Sequence, residues 1–290
     1  MKYIIVTGGA GFIGTNLISK LVKLSSYKII SYDNYSTGLI KNHIIHKNVK
    51  YVRGDTIDFD KTFKSIKKKI KVIFHFAEFS RISQSFENIN DCLKTNITGS
   101  FNVINFCLKN KIKIIYSATS ASLGNNGLDK NLSPYAFSKS TNMNLIMNLN
   151  EWFGLKYEII YFYNVYGPFQ ITNNHMAAVV GIFEDCYKKN KSLPVVKPGS
   201  QTRKFTHVDD TIDTCIYAWK KNRNRHYSIS FKHSISVKNL AKLFSKKYKM
   251  IPQRKGERFK SSEVKEVRGR KIYNLYGKIS IKDYINKLKK

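Results

Sequence analysis

The apolar positions of residues 1–165 fall into two alternating kinds. Short β-branched runs stand at 2–7 "KYIIVT", 28–32 "KIISY", 49–53 "VKYVR", 71–76 "KVIFHF", 112–117 "IKIIYS" and 157–163 "YEIIYFY". Longer amphipathic stretches separate them near 12–24, 59–69, 88–109 and 134–153. Most of the short runs are apolar throughout rather than at every second position, as required when helices cover both faces of a parallel sheet. Strand alternating with helix therefore predicts repeated βαβ units. After Tyr166-Gly167-Pro168 the rhythm changes. There the pattern predicts a helix near 175–189, a loop carrying Pro194, Pro198 and Gly199, a helix near 209–221 and a strand near 226–231. Helices near 236–247 and 280–288 follow, and the polar, charged stretch 252–270 reads as loop.

Composition narrows the class without changing this reading. With 290 residues, 42% apolar and 13% aromatic, the chain has ample material for a buried core, and collagen-like or disordered readings are excluded. Cys92, Cys107, Cys186 and Cys215 are far apart, with no CxxC and no Cys/His cluster, so neither zinc nor a disulfide framework is indicated and no metal site is expected. The apolar run at the N-terminus is too short for a signal peptide and no 18-residue apolar stretch follows, which fits a cytoplasmic protein with no membrane partner. The net charge of +32 would attract anions, but the lysines are scattered and accompany abundant Ile and Asn. A solvated cationic surface, with no specific nucleic-acid partner, is the plainer reading.

Residues 7–14, "TGGAGFIG", place Gly8, Gly11 and Gly14 between the first strand and the first helix, with Phe12 and Ile13 among them. Glycine there permits a tight strand-to-helix turn, close backbone approach to a pyrophosphate, and close helix–strand packing; the helix N-terminus supplies free N–H groups. Asp33, about 20 residues on, is positioned to accept from the ribose hydroxyls of a dinucleotide, with Asn34 and Ser36 beside it. No basic residue stands in "SYDNYSTG" to meet a 2′-phosphate, so NAD is expected rather than NADP. The fold expected is a Rossmann-type doubly wound parallel sheet over 1–168, with a smaller α+β substrate lobe over 169–290 from which 205–221 returns to the first domain.

Further on, Ser133-Pro134 reads as a helix start, a hydroxyl N-cap followed by proline at the first helical position. Tyr135 and Lys139 are then four apart on one helix face, where an ammonium beside a phenol favours the phenolate and suits the tyrosine to proton transfer.

These features, with "YDNYSTG", "GDTID", "HFA", "TNITGS", "YSATSASLG", "YAFSK", "YFYNVYGPFQ", "QTRKFTHVDD" and "PQRKGE", resemble the extended short-chain dehydrogenase/reductase family, in particular its nucleotide-sugar epimerases and dehydratases. The resemblance runs nearly end to end. It implies that Asp55 and Thr56 lie beside the adenine, that Phe76, Ala77 and Ser80 line the ribose and nicotinamide side, and that Asn96 helps hold the catalytic helix near the cofactor. Thr119 matches the hydroxyl residue that bonds the reacting sugar oxygen, Tyr135 the base, and Lys139 the residue that tunes it and holds the nicotinamide ribose. Asn164 would touch the sugar or diphosphate, Arg203 and Arg254 would grip the diphosphate, and Glu257 would lie near the nucleotide ribose. Glu78 departs from the family, which has a small residue after "HFA".

The family's 4,6-dehydratases follow the threonine with Asp-Glu, whereas Ser120 and Ala121 stand here and neither can transfer the proton that dehydration needs. The resemblance therefore implies reversible oxidation of a nucleotide-diphospho-sugar, a UDP-sugar epimerised at C4 through a transient 4-keto form, in polysaccharide or sugar-nucleotide metabolism. Three other readings stay open: an NAD(P)H-dependent reductase, epimerisation at another carbon, and a polyanion-binding module. Family members often pair two helices per subunit, which makes 88–109 and 134–153 candidates for a homodimer interface.

Overall fold

The computed structural model describes residues 2–123, 129–257 and 265–290. Part of the Gly/Asn-rich loop before Tyr135 (124–128) and part of the polar stretch 252–270 (258–264) lie outside the described residues. The strands of the main sheet are β1 (Tyr3–Thr7), β2 (Lys28–Asp33), β3 (Val49–Arg53), β4 (Ile70–His75), β5 (Lys113–Thr119), β6 (Tyr157–Phe162), β7 (His226–Ser230), β8 (Glu266–Val267) and β9 (Arg270–Tyr276). Their spatial order is β8-β9-β7-β6-β5-β4-β1-β2-β3, parallel throughout except for the antiparallel β8–β9 pair. The chain runs outward from β1 through β2 to β3, then restarts at β4 and runs the other way. Between β1 and β4 the succession reverses, and the crevice at their C-terminal ends is where such sheets bind ligands.

Helix α1 (Phe12–Leu24) follows β1, α2 precedes β5, and α3 (Pro134–Phe153) precedes β6. Helix α2 runs as Ile89–Leu93, a wide turn over Lys94–Gly99 and Ser100–Lys109; in the wide turn Ser100 N–H reaches back to the Thr95 carbonyl. The stretch expected as helix over 59–69 is α-helical only over Phe59–Phe63 and then tightens to 3₁₀ over Lys64–Lys69. That last part holds three lysines in succession and no fully buried residue, and only Ile66 packs against the core. Past residue 168 come α4 (Val179–Lys188), α5 (Val208–Lys221), α6 (Val237–Phe244) and α7 (Ile281–Leu288).

Burial explains the sequence pattern. Every residue of β5 is buried, as are all of β7 and all but the last of β6, because side chains on both sheet faces meet helices. One layer packs Ile5, Ile73, Ile114 and Ile159 with Val103, Phe106, Ile146 and Met147 of α2 and α3. The opposite layer packs Ile4, Val72, Ile115 and Ile160 with Leu17, Ile18, Ile212 and Ile216 of α1 and α5. A third cluster, including Phe183, Leu193, Val195, Leu240, Phe244 and Ile285, holds α4, α6 and α7 together.

Further findings differ from the sequence reading, among them the short strand β8 within the stretch 252–270 read as loop. Strand β9 stands where no strand was expected; its residues RKIYNLY are mostly half-exposed near the sheet edge, so the chain there lacks the apolar run that marks the central strands. Leu193–Val196 is a strand paired in parallel with Tyr248–Ile251, within a stretch read as loop.

Candidate active site

The C-terminal ends of β1, β2, β4, β5 and β6 open on one cleft of about 700 Å³. At its β1 end Gly8 has φ +68°, and a Cβ there would come within 2.9 Å of the Phe76 carbonyl carbon. A Cβ on Gly14 would lie 2.2 Å from the Gly8 carbonyl oxygen, so only glycine lets α1 sit this close to the turn. Gly11 is the N-cap of α1 and no side chain caps that end, leaving N–H groups facing the cleft wall that Phe12 and Ile13 share. Such an uncapped, glycine-lined helix start is suited to a pyrophosphate.

At the end of β2 the Asp33 carboxylate accepts from Ala10 N (2.9 Å) and Tyr35 N (2.8 Å). Burial nevertheless raises its pKa, the two backbone donors acting against that rise. Asn34 Nδ2 donates to Asp55 Oδ2 (3.0 Å), and Asp55 also caps the turn at Thr56, so Asp33, Asn34, Ser36, Asp55 and Thr56 form one polar end of the cleft. This end fits an adenosine, with carboxylates available to ribose hydroxyls.

At the other end α3 starts as the sequence indicates. Ser133 Oγ accepts from Ala136 N (3.1 Å), Pro134 follows, and Tyr135 and Lys139 both line the cleft. Thr119 ends β5, and its Oγ1 accepts from Ala121 N (3.1 Å), so its own O–H is left to donate. Phe76, Ala77 and Ser80 line the wall after β4.

Glu78 occupies the centre of this end. Its side chain is 2% exposed and that of Lys139 5%, and the two form an ion pair. Oε1 of Glu78 also accepts from Tyr116 OH (2.9 Å), Ser100 Oγ (3.0 Å) and Asn142 Nδ2 (3.1 Å). Burial pushes the Glu78 pKa up, but the Lys139 ammonium beside it prevails and holds the carboxyl below the usual range. Behind it, His75 Nε2 lies 2.9 Å from Ser100 Oγ and His75 Nδ1 lies 2.8 Å from Thr7 Oγ1. Burial pushes the His75 pKa down to about 4, so the ring is neutral at pH 7.

The remaining expected residues are placed by contacts of their own. Asn96 is fully buried behind the cleft wall; its amide bonds the backbone of Phe79 and Ser138 Oγ, a pinning contact between α2, the 76–81 loop and α3. Arg203 is paired with Glu257 (2.6 Å), so two residues expected to meet the nucleotide separately meet each other; Glu257 and Arg254 line the cleft. Asn164 has φ +39° and donates to the Lys204 carbonyl (2.8 Å) while lining the cleft, so it shapes the turn as well as the wall. Sequence reasoning missed Arg81. Its Nε donates to the Met176 carbonyl (2.5 Å) and Gln84 donates to the His175 carbonyl (2.7 Å), bolting the loop after β4 to residues 175–176 across the cleft. No local motif announces those contacts, which span more than 90 residues.

Comparison with known proteins agrees with this geometry. The family model described as NAD dependent epimerase/dehydratase matches residues 4–230. A putative UDP-glucose 4-epimerase of Methanocaldococcus jannaschii is 33% identical over 229 residues, 75% of this chain and 74% of that protein. Human dTDP-D-glucose 4,6-dehydratase is 29% identical over 259 residues, 83% of this chain and 72% of its own length. The crystal structure of a Thermotoga maritima UDP-glucose 4-epimerase with UDP-glucose superimposes with a TM-score of 0.82 at 27% identity, covering 89% of this chain and 88% of that one. The uncapped glycine turn and the carboxylate pair at the ends of β2 and β3 fit the cofactor of these enzymes, and the chain belongs to the NAD-dependent epimerase/dehydratase family of extended short-chain dehydrogenases/reductases.

Proposed function

We propose that this enzyme epimerises a nucleotide-diphospho-sugar, a UDP-sugar at C4, with Tyr135 as the base. Gly8, Gly11, Gly14 and Asp33, with Phe12, Ile13, Asn34, Ser36, Asp55, Thr56, Phe76, Ala77 and Ser80 along its length, would hold NAD, which would take a hydride from the sugar and return it within each cycle. Thr119 donates its O–H to the reacting sugar oxygen and steadies the alkoxide as Tyr135 removes the proton. Tyr135 then returns the proton when the 4-keto sugar has turned its other face. Lys139 holds the nicotinamide ribose, Asn164 contacts the sugar or diphosphate, and Arg254 binds the diphosphate with the Arg203–Glu257 pair beside it.

The observation that carries the choice of reaction is the lack of an idle acid beside Thr119. Among the described residues lining the cleft the acids are Asp33, Asp55, Glu78, Asp91 and Glu257. Glu78 and Glu257 are tied to cations, Asp33 and Asp55 sit at the adenosine end, Asp91 is exposed to solvent on the first turn of α2, and Ser120 and Ala121 follow Thr119. Dehydration needs a further acid and base; epimerisation does not. The test is incubation with UDP-, dTDP-, GDP- and ADP-sugars without added reductant. Conversion of a UDP-sugar to its C4 epimer is expected, and turnover only with stoichiometric NAD(P)H overturns the proposal. Tyr135→Phe should lower kcat about a thousandfold.

We also propose a homodimer through α2 and α3. Ile89, Phe101, Phe137 and Trp152 are 45–62% exposed on these helices while their other sides are already packed in the core, an apolar surplus that a second copy would cover. Light scattering should then give twice the chain mass of 33.5 kDa.

A further inference from the structure

The carboxylate of Glu78 is removed from water at a place where the family has a small residue, and burying an ion is costly unless its partners are good. Its partners come from three elements: Tyr116 from β5, Ser100 from α2, and Asn142 and Lys139 from α3. The Lys139 ammonium and the Asn142 N–H₂ can only donate, and the Tyr116 and Ser100 hydroxyls direct their O–H groups to it too, so an ionised carboxylate satisfies all four. The Lys139 ammonium has three N–H groups. Glu78 Oε2 accepts one and the Ser117 carbonyl another, with Ser117 Oγ at a long 3.4 Å. The third N–H has only that long contact inside the protein and is the one able to turn to whatever fills the cleft, and both ends of the pair line that cleft.

We propose that Glu78 is a positioning residue that fixes the ammonium of Lys139 through their buried ion pair, leaving one N–H to engage the cofactor ribose beside Tyr135. This rests on the role given above to Lys139. A carboxylate that only tied α2, β5 and α3 together would matter equally with or without that lysine.

The test is a double-mutant cycle with Glu78→Gln, Glu78→Asp, Lys139→Met and Glu78→Gln/Lys139→Met. It is read by NAD dissociation constant and by kcat and KM for the UDP-sugar, after circular dichroism has verified folding. Gln turns an amide N–H₂ toward donors, and Asp withdraws the charge by one methylene. Glu78→Gln should weaken NAD binding roughly tenfold and lower kcat roughly a hundredfold with KM within about threefold, and Glu78→Asp should lower kcat about tenfold. In the Lys139→Met background the Glu78→Gln change should add no more than about threefold to either loss. NAD affinity and kcat within about twofold of the unaltered enzyme, or losses that simply multiply, overturn the proposal. Failure of both Glu78 variants to fold assigns the residue to stability and overturns it too. Should the unaltered enzyme turn over no nucleotide sugar, the reading of its function fails, while the NAD-binding cycle still decides the role of Glu78.

Discussion

Strand β5 has a buried lysine–glutamate pair near each end, and the two pairs are built to different purposes. At its start Lys113 meets Glu158 of β6 at 2.6 Å, with side chains 8% and 0% exposed. Glu158 also accepts the backbone N–H groups of Arg223 (2.7 Å), Asn224 (3.1 Å) and Arg225 (2.9 Å), and Lys113 donates to Asn222 Oδ1 (2.8 Å). Here the carboxylate fastens the loop after α5 to the sheet. Near the other end Lys139 and Glu78 meet beside Ser117, equally dry, but both face the cleft. Chemistry at the level of functional groups is the same; what differs is whether the pair opens on the cleft, as Lys139 and Glu78 do, or is closed over by a loop, as Lys113 and Glu158 are. The helix starts repeat the contrast, since α3 is capped by Ser133 and α1 is left uncapped at Gly11.

The largest effect expected from breaking this comparison is on folding. Glu158→Ala strands Lys113 and three backbone donors and should destabilise the protein by about 3–5 kcal/mol in urea unfolding, with kcat of the folded fraction unchanged. A loss of kcat with stability intact would show the two pairs to be less separate than drawn here.

Each pair also neighbours a neutral histidine. His75 stands behind Glu78 through Ser100, and His226 lies 3.0 Å from Tyr161 OH and 3.5 Å from Tyr157 OH, next to Glu158 in the chain. Burial lowers both to about 4, with Arg270 acting in the same direction on His226 and with Glu78 opposing and Lys139 assisting at His75. A depressed pKa contributes stability that is complete above the unfolded value near 6.5 and is lost as pH falls toward 4. Each ring should therefore withdraw about 2 kcal/mol between pH 7 and pH 5. Urea midpoints at the two pH values should differ accordingly, and His226→Gln should lose less over that interval. An unchanged difference in that variant would remove His226 from the account.

The smallest effect belongs to the capped helix. Ser133→Ala should cost about 1 kcal/mol and leave NAD affinity within about twofold, because that cap faces protein rather than ligand. A larger loss of NAD affinity than of stability would mean that the start of α3 serves the cofactor as α1 does.

The central strands were legible because burial on both faces leaves an unbroken apolar run, and the starts of α1 and α3 were legible because caps and glycines act within a few residues. Strand β9 was not, since a half-exposed strand carrying Arg270, Lys271 and Asn274 looks locally like loop. The site divided in the same way. Gly8, Gly11, Gly14, Asp33, Tyr135 and Lys139 announce themselves by spacing and Thr119 through the family resemblance, and all seven line one cleft. The Glu78–Lys139 pair joins residues 61 apart and the Arg203–Glu257 pair residues 54 apart, and nothing near either acid indicates which cation it will meet. In a chain with 51 basic residues and 19 acidic ones, choosing partners from sequence has too many answers.

The wide turn of α2 bears on chain length rather than on any side chain. It inserts one residue beyond regular helical spacing just where Asn96 pins the cleft wall. Deleting one residue of 94–99 would let the helix close in regular turns with its two ends close to their present phase, whereas a deletion in a regular stretch would swing everything before it by about 100° about the axis. Asn96 stands inside the bulge, so its contacts with Phe79 and Ser138 are the ones such a deletion would disturb. A one-residue change in chain length is thus expected to be better tolerated at this turn than elsewhere in α2, its consequence confined to the wall that Asn96 pins.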